Sequence, residues 1–250
     1  MKINFVGVGE AINENHANTC LFIEDASLLI DCGYSTVQRI WKEDIHNKIN
    51  TIFISHFHAD HTFGLPALLL RYHEDKREAP LTILGARGIE KYIRDITELA
   101  YPNNIDKLCF ELIFQEIDSD SKIELKNATL TFACANHIDS SFAIRIEKDS
   151  KSVVYSGDTG YCAEIVELAK ETNILVHEAY TSQKDKEAKE LKKHSSFLSC
   201  ALCAANSACK SLALVHILRN SGNPGAIEEE IRLAYKGTLL IPKEGDNFEV

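Results

Sequence analysis

Apolar residues in the first third of the chain fall into short runs rich in β-formers. Lys2 to Val8, Thr19 to Glu24 and Ser27 to Asp31 are each bounded by Gly, Asn or Asp and predict strands. Ser35 to Ile45 carries Val37, Ile40, Trp41 and Ile45 at helical spacing, with Ser35 placed to cap the helix. Thr51 to Ile54 is a brief apolar strand that runs directly into Ser55-His56-Phe57-His58-Ala59-Asp60-His61. Helices over 63–75 and 88–100 flank a strand at 81–84. From Cys109 to Ile146 the pattern is nearly all strand, as CFELIFQEI, SKIEL, ATLTFACA and SFAIRIE. Strands at 152–155, 174–176, 212–217 and 238–241 then alternate with helices at 163–169 and 196–208 and one starting at Pro224. The mixed-sign run Lys184 to Lys193 predicts a solvated helix face. Strand-rich halves with interspersed helices predict an α/β class protein, one domain over residues 1–250, built as a four-layer αββα sandwich.

Composition narrows what such a chain does. Hydrophobic residues make up 45% and charged residues 26%, which suits a globular protein and not a disordered one. No run approaches the ~18 apolar residues of a membrane helix. The start MKINFVGVGE charges too early for a signal peptide, so a cytoplasmic protein with no membrane partner is expected. With 27 Lys+Arg against 37 Asp+Glu the net charge is −10, which disfavours nucleic acid as partner. The eight cysteines sit mostly in apolar segments and predict buried free thiols rather than a disulfide framework. Cys200 and Cys203 share a helix face, but no second CxxC pair exists to complete a zinc site, and packing against a sheet is the expected role.

The histidines carry the chemistry. His56-x-His58-x-Asp60-His61 places four nitrogen or oxygen donors within six residues. Alternation would set His56, His58 and Asp60 on one side of an extended segment, with a turn bringing His61 beside them. Imidazole with carboxylate suits Zn, Mn or Fe rather than Ca or Mg. His137, Asp158 and His216 each lie at or beside the C-terminal end of an apolar run, where loops of a sandwich converge on one edge.

In this order and on these strand ends, the residues resemble the metallo-β-lactamase superfamily over essentially the whole chain, including the strand end Asp31-Cys32-Gly33. The resemblance implies the metallo-β-lactamase fold and two divalent metal ions, Zn foremost with Mn and Fe also fitting. It places His56, His58 and His137 on one ion, Asp60, His61 and His216 on the other, and Asp158 between them. A hydroxide shared by the ions would be the nucleophile, with Asp60 holding its proton.

His177-Glu178-Ala179-Tyr180 and His194-Ser195-Ser196 resemble two motifs of the ribonuclease Z branch. Carried over, His194 is the general acid and Glu178 its orienting partner, while His177 reads as structural. A His at a helix start would have its pKa lowered by the dipole and raised by a nearby carboxylate. Three departures argue against a tRNA substrate. The branch's PxKxRN loop falls on Asn13 to Asn18, where only Asn18 survives. His137 and Asp158 stand 21 residues apart, too close to hold the branch's tRNA-gripping arm. The third departure is the acidic balance. The expected activity is therefore hydrolysis of a small-molecule or short phosphodiester substrate, and because ribonuclease Z-like proteins often pair, the resemblance also implies a homodimer. The alternatives are a carboxyl-ester or lactone hydrolase, a true tRNA 3′-processing endonuclease, and a non-catalytic metal-binding protein.

Overall fold

The computed structural model describes residues 1–188 and 191–250, and its strands sort into two sheets of seven. The first sheet runs β1 (Lys2–Gly7), β2 (Cys20–Ile23), β3 (Leu28–Ile30), β4 (Thr51–Phe53), β5 (Leu81–Ala86) and β6 (Leu112–Ile117) in chain order, with β14 (Asn247–Glu249) added outside β1. The second holds β7 (Lys122–Leu125), β8 (Ala128–Cys134), β9 (Phe142–Lys148), β10 (Lys151–Tyr155), β11 (Ile174–Glu178), β12 (Ser211–Val215) and β13 (Thr238–Leu240), also in chain order. Helices α1 (Val37–Lys42), α2 (Ala59–Thr62), α3 (Leu65–Glu74) and α4 (Ile89–Ala100) follow strands of the first sheet. Helices α5 (Ala163–Leu168), α6 (Gln183–Ala188), α7 (Phe197–Asn206) and α8 (Pro224–Ile231) follow strands of the second.

The two-residue period of the strands creates the layers. Val153 and Tyr155 of β10 and Ile174 and Val176 of β11 point into the space between the sheets, where they meet Phe5, Ile30, Phe53 and Leu84. The residues between them, Val154 and Leu175, point outward onto Ile165, Cys200, Ala204 and Ile231 of the helices. The first sheet does the same, covering Phe22, Leu29 and Ile52 with Ile40, Leu68, Leu69 and Ile93. Each such aliphatic side chain contributes roughly 1.5–3 kcal/mol of burial. The result is the expected αββα sandwich.

β3–β6 and β10–β13 are parallel, so their C-terminal ends lie along one edge of each sheet. Ligands of α/β proteins collect at such edges. Between His137 and Asp158 the chain makes only the β9–β10 hairpin, closed by Asp149 and Ser150 at φ +48° and +63°, values that suit a type I′ turn. No arm projects there.

Several boundaries differ from the sequence pattern. Asp60 is not on an extended segment: β4 ends at Phe53, and Asp60 lies in the first turn of α2. β12 ends at Val215, and His216 turns out of the strand at φ +57°. Ser35 does not cap α1, because its hydroxyl bonds Asn18 Oδ1 at 2.6 Å. β14 was not foreseen, since Asn247-Phe248-Glu249 has one apolar residue. It forms because β1 offers a free edge and Phe248 packs edge-on against Phe5 at 5.6 Å. Two cysteines expected to be buried, Cys109 and Cys134, are exposed. Cys200 and Cys203 are buried against the second sheet. Of the run 184–193, residues 184–188 extend α6, while Lys189 and Glu190 lie outside the described residues. Among the described residues no helix is long and apolar enough to cross a membrane.

Candidate metal centre

The ends of β4, β8, β10 and β12 bring seven side chains into two groups that share Asp158. His56, His58, His137 and Asp158 form one, and Asp60, His61, Asp158 and His216 the other. In the first, His56 Nε2 and His137 Nε2 stand 3.0 and 3.1 Å from His58 Nδ1. Three nitrogens on a tetrahedral ion with bonds of ~2.0 Å would stand about 3.3 Å apart, so the cluster is close to that size. In the second, His61 Nε2 and His216 Nε2 each lie 3.2 Å from Asp60 Oδ2 and 3.5 Å from Asp158.

Electrostatics separates the two groups. Burial, with the neighbouring His61 charge, pushes His56 well below the usual imidazole range, and burial also lowers His137. Burial thus favours the neutral form of both, whose lone pair a metal needs. Burial also disfavours charge on His61 and His216, but the carboxylates beside them outweigh it. Asp158 and Asp31 raise His61, while Asp158 and Asp60 push His216 up to about 9. A pocket that draws protons onto buried imidazoles is one that favours cations. His61 Nε2 and Asp158 Oδ1 are buried without a hydrogen-bond partner among the described residues. These donors fit a pair of divalent ions.

The surrounding chain holds the donors in place. Asp31, fully buried at φ +58°, accepts from His61 Nδ1 at 2.8 Å, Ser55 Oγ at 2.8 Å, Ser55 N at 2.7 Å and Tyr155 OH at 3.1 Å. This fixes the His61 tautomer with Nε2 turned to the cluster. Asp31 was read from the sequence only as part of a strand end. Its signal was a carboxylate closing the apolar run LLI. Tyr92 of α4 stacks on Phe57 at 4.5 Å and donates to the Phe57 carbonyl at 2.6 Å, bracing the loop that carries His56 and His58. Gly33 is required where that loop meets α2, because a Cβ there would collide with the Asp60 carbonyl. Asp31→Asn is expected to weaken metal affinity by about 10–100-fold, measured by competition with a chromophoric chelator. Unchanged affinity would show that Ser55 and packing alone orient His61.

Beside both clusters lies a third pair. His194 Nδ1 is 3.0 Å from Glu178 Oε1, which also accepts from Thr159 N at 2.6 Å. The His194 ring stacks on Tyr180 at 4.3 Å and lies 4.9 Å from His137 and 6.0 Å from His216. His194 does not open a helix as the sequence suggested. Ser196 is the N-cap of α7, with its hydroxyl on Ser199 N at 3.0 Å, so the dipole exerts little pull on His194. Burial opposes its charge, but Glu178 prevails and raises its pKa. His177 stays apart, buried in β11 with Nδ1 on the Glu178 carbonyl at 2.7 Å. Among the seven clustered side chains and His194, His58 is exposed and His194 half-buried, which puts the open side of the site at these two.

The model of the family described as "Anti-Pycsar protein Apyc1" matches residues 1–200. The ribonuclease Z of Natronomonas pharaonis is 23% identical, over 100% of this chain and 98% of that protein. Among solved structures, the metallo-β-lactamase fold protein YhfI from Bacillus subtilis has a TM-score of 0.83 at 21% identity, covering 99% of this chain and 98% of that one. The short form of human tRNase Z has a TM-score of 0.80 at 21% identity, covering 100% and 99%. The fold is the metallo-β-lactamase αββα sandwich.

Proposed function

Because the chain belongs to the Anti-Pycsar protein Apyc1 family and is a ribonuclease Z-like metal-dependent hydrolase, we propose that it cleaves a phosphodiester in a small or short substrate. In this reading His56, His58 and His137 would hold one divalent ion and Asp60, His61 and His216 the other, with Asp158 belonging to both donor sets. Zn suits the nitrogen-rich first set. Such ions supply an activated water at neutral pH and neutralise charge on the phosphoryl oxygens.

The chain's own residues do the rest. Glu178 accepts the Nδ1 proton of His194 and is itself held by Thr159 N, so the proton available for transfer is the one on Nε2 of the imidazolium. His194 gives it to the departing ester oxygen, and Tyr180 keeps the ring flat against the site.

The 3.0 Å Glu178–His194 pair carries this reading. An ester with an acidic leaving group has less need of a proton donor than an alkoxide leaving from phosphorus. The substrate's size rests on other features: the short β9–β10 hairpin, the −10 net charge and the absence of cations from the Asn13–Asn18 loop. In that loop Asn18 is committed to structure, its Oδ1 accepting from Ser35 and its Nδ2 donating to the Glu10 and Ala11 carbonyls.

A panel of bis(p-nitrophenyl) phosphate, a lactone and nitrocefin, given to metal-loaded protein, tests the reaction class. Hydrolysis of the phosphodiester is expected. Turnover of the lactone or nitrocefin alone would make it a carboxyl-type hydrolase, and no turnover with metal bound would make it a binding protein.

A further inference from the structure

The buried imidazoles of the metal centre are held from behind, with one exception. His56 Nδ1 lies 3.1 Å from Ser55 Oγ, His61 Nδ1 2.8 Å from Asp31 Oδ2 and His137 Nδ1 2.9 Å from the Lys193 carbonyl. Each of these contacts leaves Nε2 for the cluster. His216 also turns Nε2 inward, 3.2 Å from Asp60 and 3.5 Å from Asp158. Its Nδ1, however, is buried and meets no partner among the described residues. With Nε2 on an ion, Nδ1 carries the ring proton, and a buried N–H without an acceptor is costly.

An acceptor in the same condition stands beside it. β11 and β12 run parallel with Glu178 opposite Val215, so Glu178 closes its strand next to the residue that precedes His216. His216 leaves β12 at φ +57°, and its ring lies 6.0 Å from that of His194, the two planes only 11° apart. Glu178 Oε1 accepts from His194 Nδ1 at 3.0 Å and from Thr159 N at 2.6 Å. Its Oε2 is buried and meets no donor among the described residues. Asp158 Oδ1 and His61 Nε2 also lack partners, but both belong to the metal donor sets themselves. One ligand atom from each of Glu178, His194 and His216 lies within 4.8 Å of the other two, and no direct hydrogen bond joins Glu178 to His216. Such a span suits one water, because two hydrogen bonds of ~2.8 Å meeting at a tetrahedral oxygen reach about 4.6 Å. Buried waters satisfy polar groups of this kind.

We propose that Glu178 is a positioning residue for the metal ligand His216 as well as for His194, its Oε2 accepting the His216 Nδ1 proton through one buried water. The proposal rests on the metal centre of the reading above and not on the choice of substrate. One carboxylate then sets the tautomer of both rings. Oε1 keeps the His194 proton for transfer on Nε2, and Oε2 keeps His216 Nε2 free to face Asp60 and Asp158. A carboxylate behind a ligand imidazole raises its basicity and tightens the ion. Loss of Glu178 therefore damages both the metal centre and the proton donor, while loss of His194 damages proton transfer alone.

The test measures zinc binding by competition with a chromophoric chelator in the wild type, Glu178→Gln, Glu178→Ala and His194→Ala, with thermal midpoints of the metal-free proteins in parallel. The wild type is expected to hold two ions. Glu178→Gln should bind one of them about 10–100-fold more weakly, Glu178→Ala at least as weakly, and His194→Ala should bind both as tightly as the wild type. Cobalt-loaded protein supplies a spectroscopic readout, because the N–H proton of each ligand imidazole has its own paramagnetically shifted NMR signal. One such signal should move or exchange faster in Glu178→Gln and hold its place in His194→Ala. Should Glu178→Ala fail to fold, Glu178→Gln decides the matter alone. Unchanged affinity for both ions in Glu178→Gln, an equal loss in His194→Ala, or an unmoved set of signals would overturn the proposal. These binding results are read whether or not bis(p-nitrophenyl) phosphate is hydrolysed, so failure of the phosphodiesterase reading shows separately. A wild type that binds no zinc would end both.

Discussion

His194→Ala is expected to lower kcat for a phosphodiester with an alcohol leaving group by about 10²–10⁴-fold, the usual contribution of a positioned general acid. KM should change far less, because the proton matters at the transition state and not in the ground-state complex. Bis(p-nitrophenyl) phosphate, whose leaving group is a much weaker base, should lose a smaller factor. Glu178→Gln should reproduce part of the loss, since the amide still accepts from His194 Nδ1 but no longer stabilises the imidazolium. The check is a pair of steady-state profiles on the two leaving groups. Equal losses on both substrates would remove His194 from the proton-transfer step and leave it a positioning role.

The other large effect belongs to Asp158. Its carboxylate lies 3.8 Å from His56 Nε2 and 3.5 Å from the Nε2 atoms of His61 and His216, so among the described residues it is the one acid common to both donor sets. Burial disfavours its charge, but the imidazoles around it hold its pKa well below the carboxylate range. Asp158→Asn keeps the shape and removes that charge. Metal content should fall from two ions per chain to one or none, and hydrolysis by about 10³-fold or more, since a bound ion lowers the pKa of water from 15.7 to about 7. Metal analysis after gel filtration, read beside the rate, checks both. Full activity with two ions retained would show that Asp158 is not needed to hold the pair.

How much of this was legible in the sequence depends on whether a residue's role is local. The strands and the αββα layering followed from short apolar runs with helices between them: Val153, Val154 and Tyr155 form an unbroken apolar run, which suits a strand buried on both faces. The density of donors from His56 to His61 pointed to metal chemistry for the same reason. Backbone turns were not legible. Asp31 and His216 adopt positive φ values that non-glycine residues seldom take, and tertiary contacts at the strand ends impose them. Asp60 was set on an extended segment because the alternation His-x-His-x-Asp reads as strand, whereas the chain begins α2 at Ala59. Partnerships across long sequence distances were also hidden. Asp31 meets His61 and Tyr155 across 30 and 124 residues. His194 was recognisable by motif, yet its placement off the helix, and so the sign of its pKa shift, needed the structure.

The central claim, metal-dependent hydrolysis of a small phosphodiester, is tested most directly by a competition. Metal-loaded protein is given a short phosphodiester and a precursor tRNA in one reaction, with and without a chelator, and kcat/KM is compared. Hydrolysis of the short substrate that stops on chelation, with the precursor left intact, is the predicted result. Cleavage of the precursor at its 3′ side with the higher kcat/KM, or hydrolysis that survives complete removal of metal, would contradict it.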